Sequence, residues 1–222
     1  MKRIVFFLLI LSTAIGVAYY MNLSSNTQDL PIINPTDLKP EMVDSSIQNQ
    51  GREHTIGAFR LTDEKNSPIS DSVVNNKVFV AEYFFTTCGS ICPIMNQQMQ
   101  RIQAHFKGNE DFEILSFTVD PEHDNPEALL DYARKHNYVN NQWHFITGQK
   151  KDLYALARKS FFVLKPAEAQ NLGDAGSDFI HTNNFVLVDK KRRIRGYYDG
   201  TNANEVNQLI KDIELLLAPD GK

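Results

Sequence analysis

Basic charge is scarce in this 222-residue chain, where 23 Lys and Arg face 27 Asp and Glu for a formal net charge of -4. The one basic run is Lys190-Lys191-Arg192-Arg193. That is too little to form the electrostatic footprint nucleic acid requires, so nucleic acid is excluded as a partner. Internal repeats and low-complexity tracts are missing, so the fold is not a stack of repeated units. Cysteine is scarcer still, at two residues, Cys88 and Cys92. Neither lies near the end of the apolar N-terminal stretch, so a lipid anchor there has no attachment point. What remains is a chain of 42% hydrophobic content, the range of one well-packed domain with accessory segments.

Ile4 to Met21 is an uncharged stretch of 18 residues preceded by Lys2 and Arg3. That length is about the minimum for crossing a bilayer core, and the basic flank belongs on the cytoplasmic side. Everything after Met21 is therefore expected on the extracytoplasmic, periplasmic side of the inner membrane. Gly16 and Ala18 place small residues where a signal peptidase could cut, but retention as a single-pass anchor is the preferred reading. The chain divides into an anchor or signal segment at 1–21, a polar stalk at 22–54 and a domain at 55–222. Pro31, Pro35 and Pro40 interrupt the stretch from Asn22 to about Gln50, where little fixed structure is expected.

Within the domain, Phe59 to Thr62 alternates, and Lys77 to Phe85 is an apolar, β-branched and aromatic run typical of a buried strand. A helix is predicted from Cys92 to Phe106, with Ile94, Met95, Met99, Ile102 and Phe106 at helical spacing. Strand Phe112–Val119, helix Pro126–His136 capped by Asn125, strand His144–Thr147 and helix Lys151–Phe161 follow. This βαβαβα series calls for a mostly parallel sheet with right-handed crossovers. Asn184–Val188 and Ile194–Tyr198 flank the polar turn Asp189–Arg193 as a hairpin, which makes the sheet mixed. A last helix, opened by Asn202 and Glu205, carries Val206, Leu209, Ile210, Ile213, Leu216 and Leu217 on one face.

Cys88 and Cys92 sit between a buried strand and the start of a helix. A helix N-terminus presents unpaired N–H groups and a positive dipole end, which favour thiolate over thiol. Residues four apart within a helix have β-carbons about 5 to 6 Å apart, whereas a disulfide needs about 3.5 to 4.5 Å. A bridge therefore requires Cys88 in the preceding loop and Cys92 in the first turn, where Pro93 is well suited. A purely structural disulfide closing so short a loop would contribute only about 2 kcal/mol. A redox or metal role is thus the stronger reading.

Two thiolates make a soft site for Cu(I), or part of a zinc site, and need a third ligand from elsewhere. His181, just before the strand Asn184–Val188 and after the irregular stretch Pro166–Ile180, could fold over the strand-to-helix edge where open α/β sheets bind ligands. A loop histidine capping a strand is the competing reading. His123, in the loop Asp120 to Asp124, could reach the same edge, although turn chemistry explains it more simply. His54, His105, His136 and His144 look like surface or element-end residues. Met95 and Met99 continue the cysteine face, but a methionine stripe of this kind is usually core packing.

The segment Phe84-Phe85-Thr86-Thr87-Cys88-Gly89-Ser90-Ile91-Cys92-Pro93 resembles the C-x3-C-P motif of the Sco/SenC family. Thr118-Val119-Asp120-Pro121-Glu122-His123-Asp124-Asn125-Pro126 is similar to that family's T-V-D-P-x-x-D-x-P segment, and Trp143 to Gly148 to its W-x-F-L-T-G segment. The resemblance spans roughly Thr55 to Leu217, with the motifs in the family's order. It implies a thioredoxin-like α/β fold with a mixed central sheet flanked by helices. It also implies Cys88, Cys92 and His181 as copper ligands, with Asp120 near the site. Gly89 and Ser90 stand where many members have proline and aspartate, and Thr182 replaces the common serine after the histidine.

The same resemblance implies a copper metallochaperone for cytochrome c oxidase. Cu(I) would be the bound state, with Cu(II) left open. Its partners would be the copper-bearing oxidase subunit, a thiol reductant protein and, through the anchor, the membrane. The alternative is a thiol-disulfide oxidoreductase in which Cys88 attacks and Cys92 resolves. A peroxide-reducing enzyme would need an arginine beside the cysteine loop, and Arg101 lies too far along the helix.

Overall fold

The computed structural model describes residues 30–40, 43–48, 51, 53–138, 141–163 and 183–218. The expected anchor at 1–21 and the expected third ligand His181 lie outside them. Among the described residues no helix is long and apolar enough to cross a membrane.

Among the described residues seven strands form one sheet: β1 (Arg60–Asp63), β2 (Pro68–Ser70), β3 (Val78–Phe84), β4 (Phe112–Thr118), β5 (Trp143–Thr147), β6 (Asn184–Val188) and β7 (Ile194–Asp199). Their order across the sheet is β2-β1-β5-β4-β3-β6-β7. The centre is parallel, β3 pairing with β4 and β4 with β5, as apolar runs joined by helical crossovers dictate. Both flanks are antiparallel, through β6 and β7 on one side and β1 and β2 on the other. The expected mixed sheet is present. The β1–β2 hairpin was not predicted, because β2 has three residues and is too short for a period-two pattern.

Among the described residues four α-helices cover this sheet: α1 (Cys92–His105), α2 (Pro126–Lys135), α3 (Lys150–Lys159) and α4 (Ala203–Leu217). Alternation along β3 divides the core in two. Phe79, Ala81 and Tyr83 join Leu115, Phe117 and the α3 residues Leu153, Tyr154 and Ala157 in one apolar cluster. On the opposite face Phe84 packs against Tyr132 of α2 and Phe145 of β5, at centroid distances of 5.2 and 5.6 Å. There α4 lies against α1 and the sheet. Met95 and Met99 are fully buried on α1, so the methionine stripe is core.

Two expectations are corrected. The described part of the stretch from Asn22 to Gln50 has fixed structure: Val43 and Ile47 are buried in the α3-side cluster. Ile33 donates its N–H to the Ile194 carbonyl at 2.9 Å, covering the free edge of β7. Its apolar residues follow neither helical nor strand period, so no local pattern announces their burial. His54 is likewise buried rather than superficial, and His144, near the start of β5 as an element-end residue, is buried as well. His54 donates Nε2–H to the Ser160 carbonyl at 2.8 Å and packs on Phe162, while His144 lies within β5, 3.4 Å from Glu113.

Candidate dithiol and metal site

The parallel strands β3 and β4 end side by side, and the Val119 N–H bonds the Phe84 carbonyl at 3.0 Å. From this edge the chain runs through the loop Phe85 to Ile91 into α1. Cys92 is the first residue of α1 and Pro93 the second, and Ile91 at the N-cap offers no side-chain cap. At this start the Cys92 N–H is given to the Cys88 sulfur, Pro93 has none, and the Ile94 N–H bonds the Ile91 carbonyl at 3.0 Å, so the positive end of the helix falls on the dithiol. Cys88 lies outside the helix, in a turn closed by its N–H bonding the Phe85 carbonyl at 3.2 Å. Both cysteines are free thiols and both are buried.

The two sulfurs differ in their surroundings. Burial pushes the Cys88 thiol up, but the Cys92 thiol, the N–H groups of Ser90 and Cys92 and the Ser90 hydroxyl all bond its sulfur. Together they hold it below the usual cysteine value. The Ser90 Oγ lies 3.7 Å from the sulfur. Cys92 is pushed well above the ordinary range by burial, by the hydrogen bond it gives Cys88 and by the negative charges of Cys88 and Glu82. The Phe85 N–H on its sulfur acts in the opposite direction. The outer sulfur is thus the readier thiolate and the inner one the proton holder.

Beneath the pair lies a buried polar chain. Glu82 sits inside the apolar strand β3, and burial pushes its carboxyl up to about 7 against the pull of the Ser116 hydroxyl. Ser116 donates to it at 2.6 Å and accepts from Trp143 Nε1–H at 2.8 Å. The sequence reading did not single out Glu82, although an acidic residue within VFVAEYF was the available signal.

The structure brings Cys88 and Cys92 to one edge, and His181 lies outside the described residues. Asp120 and His123 follow β4 at the same edge, the His123 Nδ1 lying 2.8 Å from Asp120, and His123 is exposed to solvent. Among the described residues no group of three His, Cys, Asp or Glu is placed to hold a metal ion. The pair alone can take two coordination positions of a soft cation, or close a disulfide.

Fold and site together define a thioredoxin-like dithiol protein. The sequence profile of the SCO1/SenC family matches residues 47–218, and the chain belongs to that family. It is 31% identical to the SCO1 protein homolog of Bacillus subtilis over 159 residues, 70% of this chain and 78% of the relative. A SCO1/SenC family lipoprotein from Bacillus anthracis superposes with a TM-score of 0.64 at 25% identity, covering 77% of this chain and 99% of that one. BsSco, a member of the Sco family of cytochrome c oxidase assembly proteins in which a disulfide switch has been identified, gives 0.62 at 27% identity over 74% and 95%. The copper-bound ScoI of Bradyrhizobium japonicum gives 0.57 at 18% identity over 74% and 100%, a likeness of fold.

Proposed function

We propose that this chain is an exported metallochaperone, tethered to the inner membrane by residues 1–21, that carries copper to the dinuclear copper site of cytochrome c oxidase during its assembly. The observation that carries the reading is the pair of free, buried thiols at the start of α1, with hydrogen-bond donors gathered on Cys88. Copper is the cargo. Cys88 and Cys92 supply soft sulfur ligands, and His181, the histidine that the family resemblance implies, is assigned as the third. The copper bound to the ScoI neighbour and the oxidase-assembly family of BsSco support copper as the cargo. Sulfur ligation needs thiolates, so loading releases protons, from Cys88 more readily than from Cys92.

A second reading, thiol-disulfide oxidoreductase, is favoured by the unequal sulfurs. The Cys88 thiolate attacks one sulfur of a partner disulfide and the partner's other sulfur leaves as thiolate. Cys92, once deprotonated, attacks the Cys88 sulfur of the mixed disulfide and releases the second partner thiol. Two electrons pass to the partner and the Cys88–Cys92 disulfide remains. Copper uptake then requires the pair to be reduced again.

A Cu(I) competition titration of the reduced protein, wild type against His181→Ala, tests the assignment. The expected result is one tightly bound ion, weakened about tenfold or more, or about 1.4 kcal/mol, by the substitution. Weak binding that is indifferent to His181 would overturn the copper reading and leave the oxidoreductase.

A further inference from the structure

Asp124 is fully buried in the loop between β4 and α2. The neighbouring Asn125 already caps α2, accepting from the Ala128 N–H at 3.0 Å, so the Asp124 carboxyl is not needed to start that helix. Its two oxygens take up donors from two other elements. From the cysteine loop, Thr86 donates its N–H at 3.1 Å and its hydroxyl at 2.5 Å. From the end of β4, Thr118 donates its hydroxyl at 2.5 Å and accepts the Asp120 N–H at 3.0 Å. The loop following β4 is thereby bound to the turn following β3.

Thr86 is the second residue of the Phe85 to Cys88 turn, and that turn serves both sulfurs. The Phe85 N–H bonds the Cys92 sulfur, and the Phe85 carbonyl accepts the Cys88 N–H. Fixing Thr86 therefore fixes the residue that bridges the two thiols. A carboxyl can accept from three donors at once, which a neutral side chain of this size does less well.

We propose that Asp124 is a positioning residue for the dithiol, its buried carboxyl tying the Phe85 to Cys88 turn to the end of β4 and so setting where Cys88 stands relative to Cys92. The proposal rests on the reading of Cys88 and Cys92 as the working pair. Asp124 touches neither cargo nor sulfur and acts through Thr86.

The test compares the full chain, reduced, as wild type, Asp124→Asn, Thr86→Val and Thr86→Ser. Three quantities are measured on each: the alkylation rate of Cys88 by iodoacetamide, Cu(I) affinity by competition, and the urea midpoint. Thr86→Val is nearly isosteric and removes only the hydroxyl donor, whereas Thr86→Ser keeps it. Asp124→Asn and Thr86→Val are each expected to change the alkylation rate and weaken Cu(I) binding by about fivefold or more, the scale of one lost hydrogen bond. Thr86→Ser is expected to keep wild-type values. If Asp124→Asn does not fold, Thr86→Val against Thr86→Ser decides alone. Unchanged alkylation in a folded Thr86→Val protein overturns the proposal, as does a Thr86→Ser protein that behaves like Thr86→Val. A wild type that fails to bind Cu(I) overturns the copper reading instead, and the alkylation rates still decide the role of Asp124.

Discussion

Glu82 makes the stability of this protein depend on pH in a way that one substitution should reveal. Its carboxyl, fully enclosed in β3, is pushed up to about 7 from an ordinary 4.5. A carboxyl raised on folding contributes its stability in full below pH 4.5. The contribution is lost as pH rises toward 7, because the unfolded chain gives up the proton first. At about 1.4 kcal/mol per pH unit, the gap amounts to about 3 kcal/mol. Glu82→Gln keeps an oxygen for the Ser116 hydroxyl and cannot ionise. Urea unfolding of the reduced wild type and variant, followed by far-UV circular dichroism from pH 4.5 to 8, isolates this group because the other titrations are shared. The variant should gain about 3 kcal/mol on the wild type between the two ends of the range, most of it below pH 7. Parallel curves would refute the reasoning and would mean that Glu82 ionises inside the fold near its ordinary value.

Two further outcomes are expected. At neutral pH limited iodoacetamide should label Cys88 well before Cys92, because Cys88 is held below the usual cysteine value and Cys92 above it; peptide mass spectrometry finding equal labelling would contradict the assigned asymmetry. Asp189, in the β6–β7 turn, accepts from Arg193 Nε at 2.8 Å and from the buried Arg195 at 3.0 Å. Although burial pushes its carboxyl up, these partners hold it below its ordinary 3.8. Asp189→Ala should cost about 2 to 3 kcal/mol by urea unfolding at pH 7, since the Arg193 side chain is 28% exposed and the cost falls short of a fully buried pair. The wild type holds this advantage above pH 3.8 and loses it as pH falls through the folded value, so the two proteins should converge in acid.

The helices and central strands were legible because their apolar residues repeat at 3.6 or form continuous buried runs. Predicted and observed ends of α1, α2 and β3 to β7 differ by no more than a residue or so. Cys88 and Cys92 were legible as a site because they are the only cysteines and fall where a buried strand gives way to a helix. The N-terminal segment was misjudged for the complementary reason. Ile33, Val43 and Ile47 are apolar residues without a period, in a stretch broken by Pro31, Pro35 and Pro40, and only the face they cover explains them.

The sequence by itself determined the mixed α/β architecture, the family motifs and the placing of two thiols at a helix start, because periodicity, capping and residue spacing act over a few positions along the chain. Only the tertiary structure decided which thiol is the readier to ionise, that Glu82 is enclosed beneath Cys92, and that Asp124 ties Thr86 to Thr118. Those properties depend on burial and on donors from strands and loops distant in sequence. Desolvation and hydrogen bonding are set by what surrounds a group in space, and no local pattern encodes them.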